Sequence, residues 1–247
     1  MKRKHSRIKT GCCGWRMQKA EYAALLPVVE VQQTFYQPPQ IATLERWRNE
    51  VPKNFEFTLK AWQLITHEAR SPTYKRLKLK LSDAERDECG SFRPTAMVKT
   101  AWETTHACAR ALAASRVLFQ CPASFTPSDE HIADMRRFFA SVERGKLQFL
   151  WEPRGDWPAE TVRSLCRELE LVHVVDPFAA RTVTPEFCYF RLHGRKGWRY
   201  VYEDDELEEL SEMIAGAKTA YVLFNNIRML EDAARFQELI RTHEANA

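Results

Sequence analysis

The chain has no apolar run that approaches the roughly 20 residues of a membrane span. A transmembrane helix is therefore not expected. It also lacks the apolar segment of a secretory signal, because the basic start MKRKHSRIK runs on without one. Only 8 glycines accompany 45% hydrophobic residues, which excludes a disordered or low-complexity chain. No Pro/Gly/Ser-rich linker divides it, and no internal repeat is evident. Neither a Cys-x-x-Cys nor a His-x-x-x-His spacing occurs. The seven cysteines are odd in number and irregularly spaced, which excludes a simple disulfide framework and points to reduced thiols in a cytoplasmic protein. Excess charge is scarce too. Lys2, Arg3, Lys4, Arg7 and Lys9 supply five of the 37 Lys and Arg, leaving 32 against 33 Asp and Glu in the body. A basic arm over residues 1–9 is thus attached to a nearly neutral body, and alone it does not establish nucleic-acid binding.

What is present is an alternation. Apolar runs of four to six residues end on polar or small residues and give way to helical patterns. The predicted strands are Ile8–Cys12, Val28–Gln32, Phe55–Lys60, Arg116–Gln120, the run LQFLWE from Leu147, Leu171–Asp176, Cys188–His193 and Ala220–Asn226. Between them, apolar residues recur at helical spacing, as in Ile132, Met135, Phe139 and Val142. Thr126-Pro127-Ser128-Asp129 predicts that helix's start, with proline in its first position. Strand–helix alternation over 247 residues is the pattern of an α/β fold, a single (β/α)8 barrel. The segment Ala61–Pro94 is too long for an ordinary connection and reads as an extended insertion after strand 3, or a lid.

Such barrels carry their chemistry at the carboxyl ends of the strands. Those ends hold Cys12, Glu30, Gln32, Lys60, Gln120, Glu152, Arg154, Asp176, Arg191, His193, Asn225 and Asn226. Acids interleaved with bases at a buried mouth must satisfy one another, and such a network could serve structure alone. Lys60, Arg154 and Arg191 supply fixed positive charge for a phosphate or carboxylate. Gly194 and Gly197 after strand 7 suit a phosphate-binding loop. His193 and the carboxylates Glu30 and Glu152 suit proton transfer near neutral pH. A Schiff base on Lys60 is disfavoured, since neighbouring carboxylates would keep the amine protonated. A thiolate metal site using Cys12, Cys13 and Cys121 with His67 or His193 has no diagnostic spacing behind it.

Six stretches carry a resemblance: GCCGW at Gly11–Trp15, VEVQQTFYQPP at Val29–Pro39, PKNFEFTLKAWQLITH at Pro52–His67, WEPRGDW at Trp151–Trp157, YFRLHG at Tyr189–Gly194 and LFNN at Leu223–Asn226. In this order the chain resembles the YecE-like family of domains of unknown function, number 72. The resemblance implies a single TIM barrel over residues 10–247, similar to the endonuclease-four and xylose-isomerase group, and it brings no reaction with it. Cys12-Cys13 replaces the Thr-Ser pair common in that family. The positive side chains at the expected mouth also argue against the three-metal site of those nucleases.

The expectation is a hydrolase-like enzyme for a phosphate-bearing anion, with Glu30, Lys60, Glu152 and His193 catalytic. Tyr36, His67, Arg154, Asp176, Arg191, Asn225 and Asn226 would bind substrate, and no metal or cofactor is required. The partner would be an anionic small molecule or a nucleic acid, not a membrane. The alternative is a non-catalytic nucleic-acid-binding protein that uses the arm, the basic stretch Arg70–Lys80 and the loop Arg195–Tyr202. A barrel acting only as a scaffold is a third reading.

Overall fold

A computed structural model describes residues 8–246. Up to Arg7, the expected basic arm lies outside the described residues. Lys9 is no arm residue. It sits in the first strand, with its ammonium on Glu56.

The elements follow the predicted alternation: β1 Ile8–Cys12, α1 Lys19–Leu25, β2 Val28–Val31, α2 Gln33–Tyr36, α3 Ile41–Asn49, β3 Glu56–Lys60, α4 Gln63–Thr66, a 3-10 turn Pro72–Arg76, and α5 Asp83–Asp87. There follow α6 Ala96–Ala111, β4 Arg116–Gln120, α7 Asp129–Ser141, β5 Gln148–Glu152, α8 Ala159–Glu168, β6 Leu171–Val175, β7 Phe187–Leu192, α9 Asp204–Ile214, β8 Thr219–Phe224 and α10 Met229–Asn246. The strands are ordered β1 to β8 as a closed parallel barrel. Buried on both faces, they are nearly continuous in apolar residues, and every position of β2 and β6 is buried.

Contacts group the chain into two compact units. Of the described residues, the first comprises 8–30, 51–56 and 172–246. Here Gly11 lies opposite Val28 in the β1–β2 register, and a side chain at Gly11 would come within 2.1 Å of the Val28 carbonyl oxygen. That close approach is why the strand carries glycine at this position. The fully buried Tyr22 of α1 ties both strands together. Its hydroxyl accepts the Cys12 N–H at 2.7 Å and donates to the Val28 carbonyl at 2.9 Å. Phe187, Tyr189 and Tyr221 stack in a row between β7 and β8, with centroids 5.8 and 5.7 Å apart.

The second unit comprises Val31–Glu50 and Phe57–Leu171, and its core is aromatic. Phe92, Trp102, Phe119, Phe138, Phe139 and Phe149 meet mostly edge-on or tilted, for example Phe119 with Phe139 at 5.1 Å and Trp102 with Phe149 at 5.3 Å, while Trp102 stacks on Phe119 at 6.0 Å. Such pairs add to the burial of their area. The segment expected as an insertion or lid is tied into this core. Leu64 and Ile65 are fully buried, and their carbonyls accept Gly90 and Phe92 N–H at 2.8 Å each. Phe92 reaches its place through a left-handed backbone, φ 57°, carried by full burial of its ring.

Three local expectations are corrected. Ser128, not Thr126, caps α7, because its side chain accepts the His131 N–H and leaves Pro127 outside the helix. β2 stops at Val31, since Gln32 turns to helical backbone, φ −88° and ψ −26°, and starts α2. The helical pattern over Thr95–Ser115 predicts a helix that runs to Ser115, but α6 ends at Ala111, just before Ala113 turns to φ 49°.

Candidate functional site

In the second unit, β3, β4 and β5 end on Lys60, Gln120 and Glu152. The register sets Lys60 opposite Leu118, and Gln120 opposite Glu152. With period-2 side chains this puts the three polar ends on one face. They form a chain: Lys60 Nζ donates to Gln120 Oε1 at 2.7 Å, and Gln120 Nε2 donates to Glu152 Oε2 at 2.9 Å. Arg154, two residues past β5, closes on Glu152 Oε1 through Nε at 3.1 Å and Nη2 at 3.0 Å. Lys60, Gln120 and Glu152 are buried, whereas the Arg154 side chain is 44% exposed. The relay therefore runs from a buried amine to a guanidinium that meets solvent.

The wall beside it comes from α2 and α4. Thr34 Oγ1 donates to the Lys60 carbonyl at 2.7 Å, which holds α2 against the end of β3. That contact sets Phe35 with its ring centroid 3.8 Å from Lys60 Nζ. His67 packs its ring edge-on to Phe35 at 4.9 Å, with Nδ1 2.8 Å from Thr66 Oγ1. Burial, followed by the charges of Lys60 and Arg154, pushes the His67 imidazole down to about 3. At neutral pH it is an uncharged ring in a positive field. Tyr36 lies under the Arg76 guanidinium, 3.5 Å from the ring, and its carbonyl accepts Gln63 Nε2 at 2.9 Å.

In the first unit, Glu30 of β2 and Tyr189 and Arg191 of β7 form a second cluster. Arg191 Nε and Nη2 lie 3.1 and 3.0 Å from Glu30 Oε1, and the Tyr189 hydroxyl donates to Oε2 at 2.9 Å. The side chains of Arg191 and Glu30 are 1% and 0% exposed. The Cys13 thiol is pushed well up, first by burial and then by the Glu30 charge. Asp176 and His193 stand just past β6 and β7. Asp176 Oδ2 accepts the His193 N–H at 2.9 Å and lies 3.8 Å from His193 Nδ1, while Oδ1 accepts the Phe178 N–H at 3.1 Å. Asn225 is anchored through its N–H on the Leu192 carbonyl, 2.8 Å. The Asn226 amide is engaged in a staple, donating to Asp232 at 2.6 Å and to the Tyr200 carbonyl at 2.8 Å.

Thus one unit gathers Tyr36, Lys60, His67, Glu152 and Arg154, and the other gathers Glu30, Asp176, Arg191, His193 and Asn226. Phe35 and Thr66 had no sequence signal of a site, and Gln120 had only its place at a strand end. All seven cysteines are buried and unbonded to one another. Cys12 donates to the Met229 carbonyl at 3.3 Å, and Cys121 accepts from Trp151 Nε1 at 3.3 Å. Among the described residues, no three His, Cys, Asp or Glu side chains are grouped to hold a metal ion, and no helix is long and apolar enough to cross a membrane.

A family model described as "Protein of unknown function DUF72" matches residues 10–247. The UPF0759 protein YunF of Bacillus subtilis (strain 168) is 27% identical over 240 residues, 83% of this chain and 79% of that protein. A crystal structure of a DUF72 family protein from Enterococcus faecalis V583 superposes with a TM-score of 0.74 at 24% identity, covering 96% of this chain and 98% of the other. A xylose isomerase domain containing protein from Salmonella typhimurium LT2 superposes with a TM-score of 0.58 at 12% identity, covering 97% of each chain. The likeness to both solved structures is one of fold.

Proposed function

This chain belongs to the DUF72 family, and from that premise we propose that it is an enzyme that binds a small phosphate-bearing anion at the ends of β3, β4 and β5 and transfers protons there, most simply in a hydrolysis. The observation that carries the reading is the relay Lys60–Gln120–Glu152–Arg154 beside an uncharged His67. A structural plug would hold its charges wholly inside. Here the guanidinium at the end of the relay is 44% exposed, in the fork geometry that suits phosphate.

In this mechanism Arg154 and Lys60 hold the anion. Their field is felt at His67, where it opposes protonation, so the same field favours a negative group. Glu152 is the carboxylate that accepts a proton. His67, neutral throughout the physiological range, donates or accepts one hydrogen bond to the substrate, with its ring oriented by Thr66 and Phe35. Glu30 is the weaker base on this reading, because a fully buried carboxylate bonded to Arg191 and Tyr189 is better suited to holding them in place. His193 beside Asp176 is the acid–base candidate of the first unit.

The test is thermal unfolding against inorganic phosphate, sugar phosphates and nucleotides, repeated with Arg154→Ala and Glu152→Gln. A ligand at 100 times its Kd should stabilise the wild type by about 2.7 kcal/mol. Arg154→Ala should abolish the shift, and Glu152→Gln should keep binding and lose turnover. Shifts that are the same in Arg154→Ala and the wild type would refute the proposal.

A further inference from the structure

We propose that the loop after β7 is a stacking platform for single-stranded nucleic acid, with the Trp198 indole taking a base and Lys196 and Arg199 taking the neighbouring phosphates. The proposal rests on residues that play no part in the function proposed above.

Of the seven tryptophans, Trp198 alone is exposed, at 58%. An indole left in water on a loose loop would be unremarkable, but this loop is built. Gly194 and Gly197 take φ of 86° and 95°, and a side chain at Gly194 would come within 2.4 Å of both the Gly197 oxygen and Tyr200 Cβ. The Gly194 N–H donates to the buried Tyr202 hydroxyl at 2.9 Å. Tyr200 N–H closes on the Gly197 carbonyl at 3.0 Å, and the Tyr200 hydroxyl donates to Glu206 at 2.6 Å. The Trp198 carbonyl itself accepts the Ile227 N–H at 2.6 Å, which seats the 48% exposed Ile227 against the same loop. The chain thus holds the indole's backbone at several points and leaves the ring to solvent.

Charge selects the partner. The Arg199 guanidinium lies 5.1 Å from the Trp198 ring centroid. Among the described residues, neither Arg199 nor Lys196 pairs with a carboxylate. On α9, Glu206 and Glu209 bind Arg195 at 2.8 and 2.5 Å, and Asp204 pairs with Arg235. An exposed indole with one guanidinium against its ring and a second cation, Lys196, two residues before it in the chain fits a base between phosphates. A duplex hides its base faces in the stack, so the partner is single-stranded.

The experiment is fluorescence anisotropy of a labelled oligothymidylate against the full chain at low salt. Wild type should bind, Trp198→Ala should bind at least about fivefold more weakly, and Trp198→Tyr should retain most of the affinity. Replacing Lys196 and Arg199 together by alanine should flatten the slope of log K against log salt by about 1.4, the value for two phosphates on a single strand. A duplex competitor should be the weaker one. The proposal is overturned if the wild type fails to bind, or if Trp198→Ala binds like wild type. It is equally overturned if deleting residues 2–7 abolishes binding that Trp198→Ala keeps. A change of oligomeric state in Trp198→Ala, without oligonucleotide binding by the wild type, would make the patch an interface between copies instead.

Discussion

Replacing Arg191 by methionine removes one half of a charge pair that is closed to water on both sides, with side chains 1% and 0% exposed. The Glu30 carboxylate would keep its bond from Tyr189 and lose both guanidinium contacts. Breaking a buried pair on one side costs about 3–5 kcal/mol. At about 2–4 °C per kcal/mol for a domain of this size, the midpoint should fall by about 6–20 °C. Glu30→Leu should cost at least as much, because it also strips the Tyr189 hydroxyl of its acceptor, a loss of about 1–3 kcal/mol. The double variant Glu30→Leu/Arg191→Met removes both charges and should retain only that hydroxyl cost. Adding Tyr189→Phe should bring stability to within about 1 kcal/mol of wild type or above it, as apolar replacement of buried ion pairs often does. Urea unfolding of the five proteins, analysed by linear extrapolation, measures each step. If Arg191→Met costs less than about 1 kcal/mol, or if the double variant loses the sum of the two singles, the pair is not the coupled buried unit described.

Two further outcomes follow from the same geometry. His67 is pushed down to about 3, from an ordinary value of 6.5 that the unfolded chain keeps. The unfolded state then takes up the proton first, so this contribution is fully present above about pH 6.5 and is lost as pH falls toward 3. His67→Gln should therefore flatten the acid limb of stability against pH, and imidazole resonances should show no titration of His67 between pH 5 and 8. An unchanged acid limb would contradict the assignment. As for the thiols, burial raises Cys12 and Cys166 to about 12 and Cys108 and Cys188 to about 11. Ellman's reagent at pH 8 should thus find none of the seven promptly reactive in the native protein and all seven in urea. A prompt single equivalent would point to an exposed thiol that the structure does not contain.

The strand ends were legible because side-chain direction along a strand has a period of two. Lys60, Gln120 and Glu152 could be set on one face by counting back from where each apolar run stops. The same counting, applied to Cys188–His193, puts Tyr189 and Arg191 on a common face of β7, and both meet Glu30. Elements of this kind are dictated locally, by apolar runs, helical spacing and the prolines and glycines between them. Gln32 was misplaced because the decision to leave the strand belongs to Thr34, whose hydroxyl finds the Lys60 carbonyl 26 residues on. Asn226 was expected to bind substrate from a strand end, and its amide nitrogen donates to Asp232 and to the Tyr200 carbonyl.

By itself, then, the sequence determined that this is a barrel of eight parallel strands with unpaired thiols and with charged residues at its strand ends. Those properties follow from periodicity and composition, which act residue by residue. Only the tertiary structure decided which charges meet: Lys60 reaching Glu152 through Gln120, Arg191 closing on Glu30, a histidine kept neutral by burial and by two cations, and one tryptophan left in water on a tightly bonded loop. Partners far apart in the chain are chosen by the register of the strands and by the cost of burying a charge alone, and neither is written in any single stretch of residues.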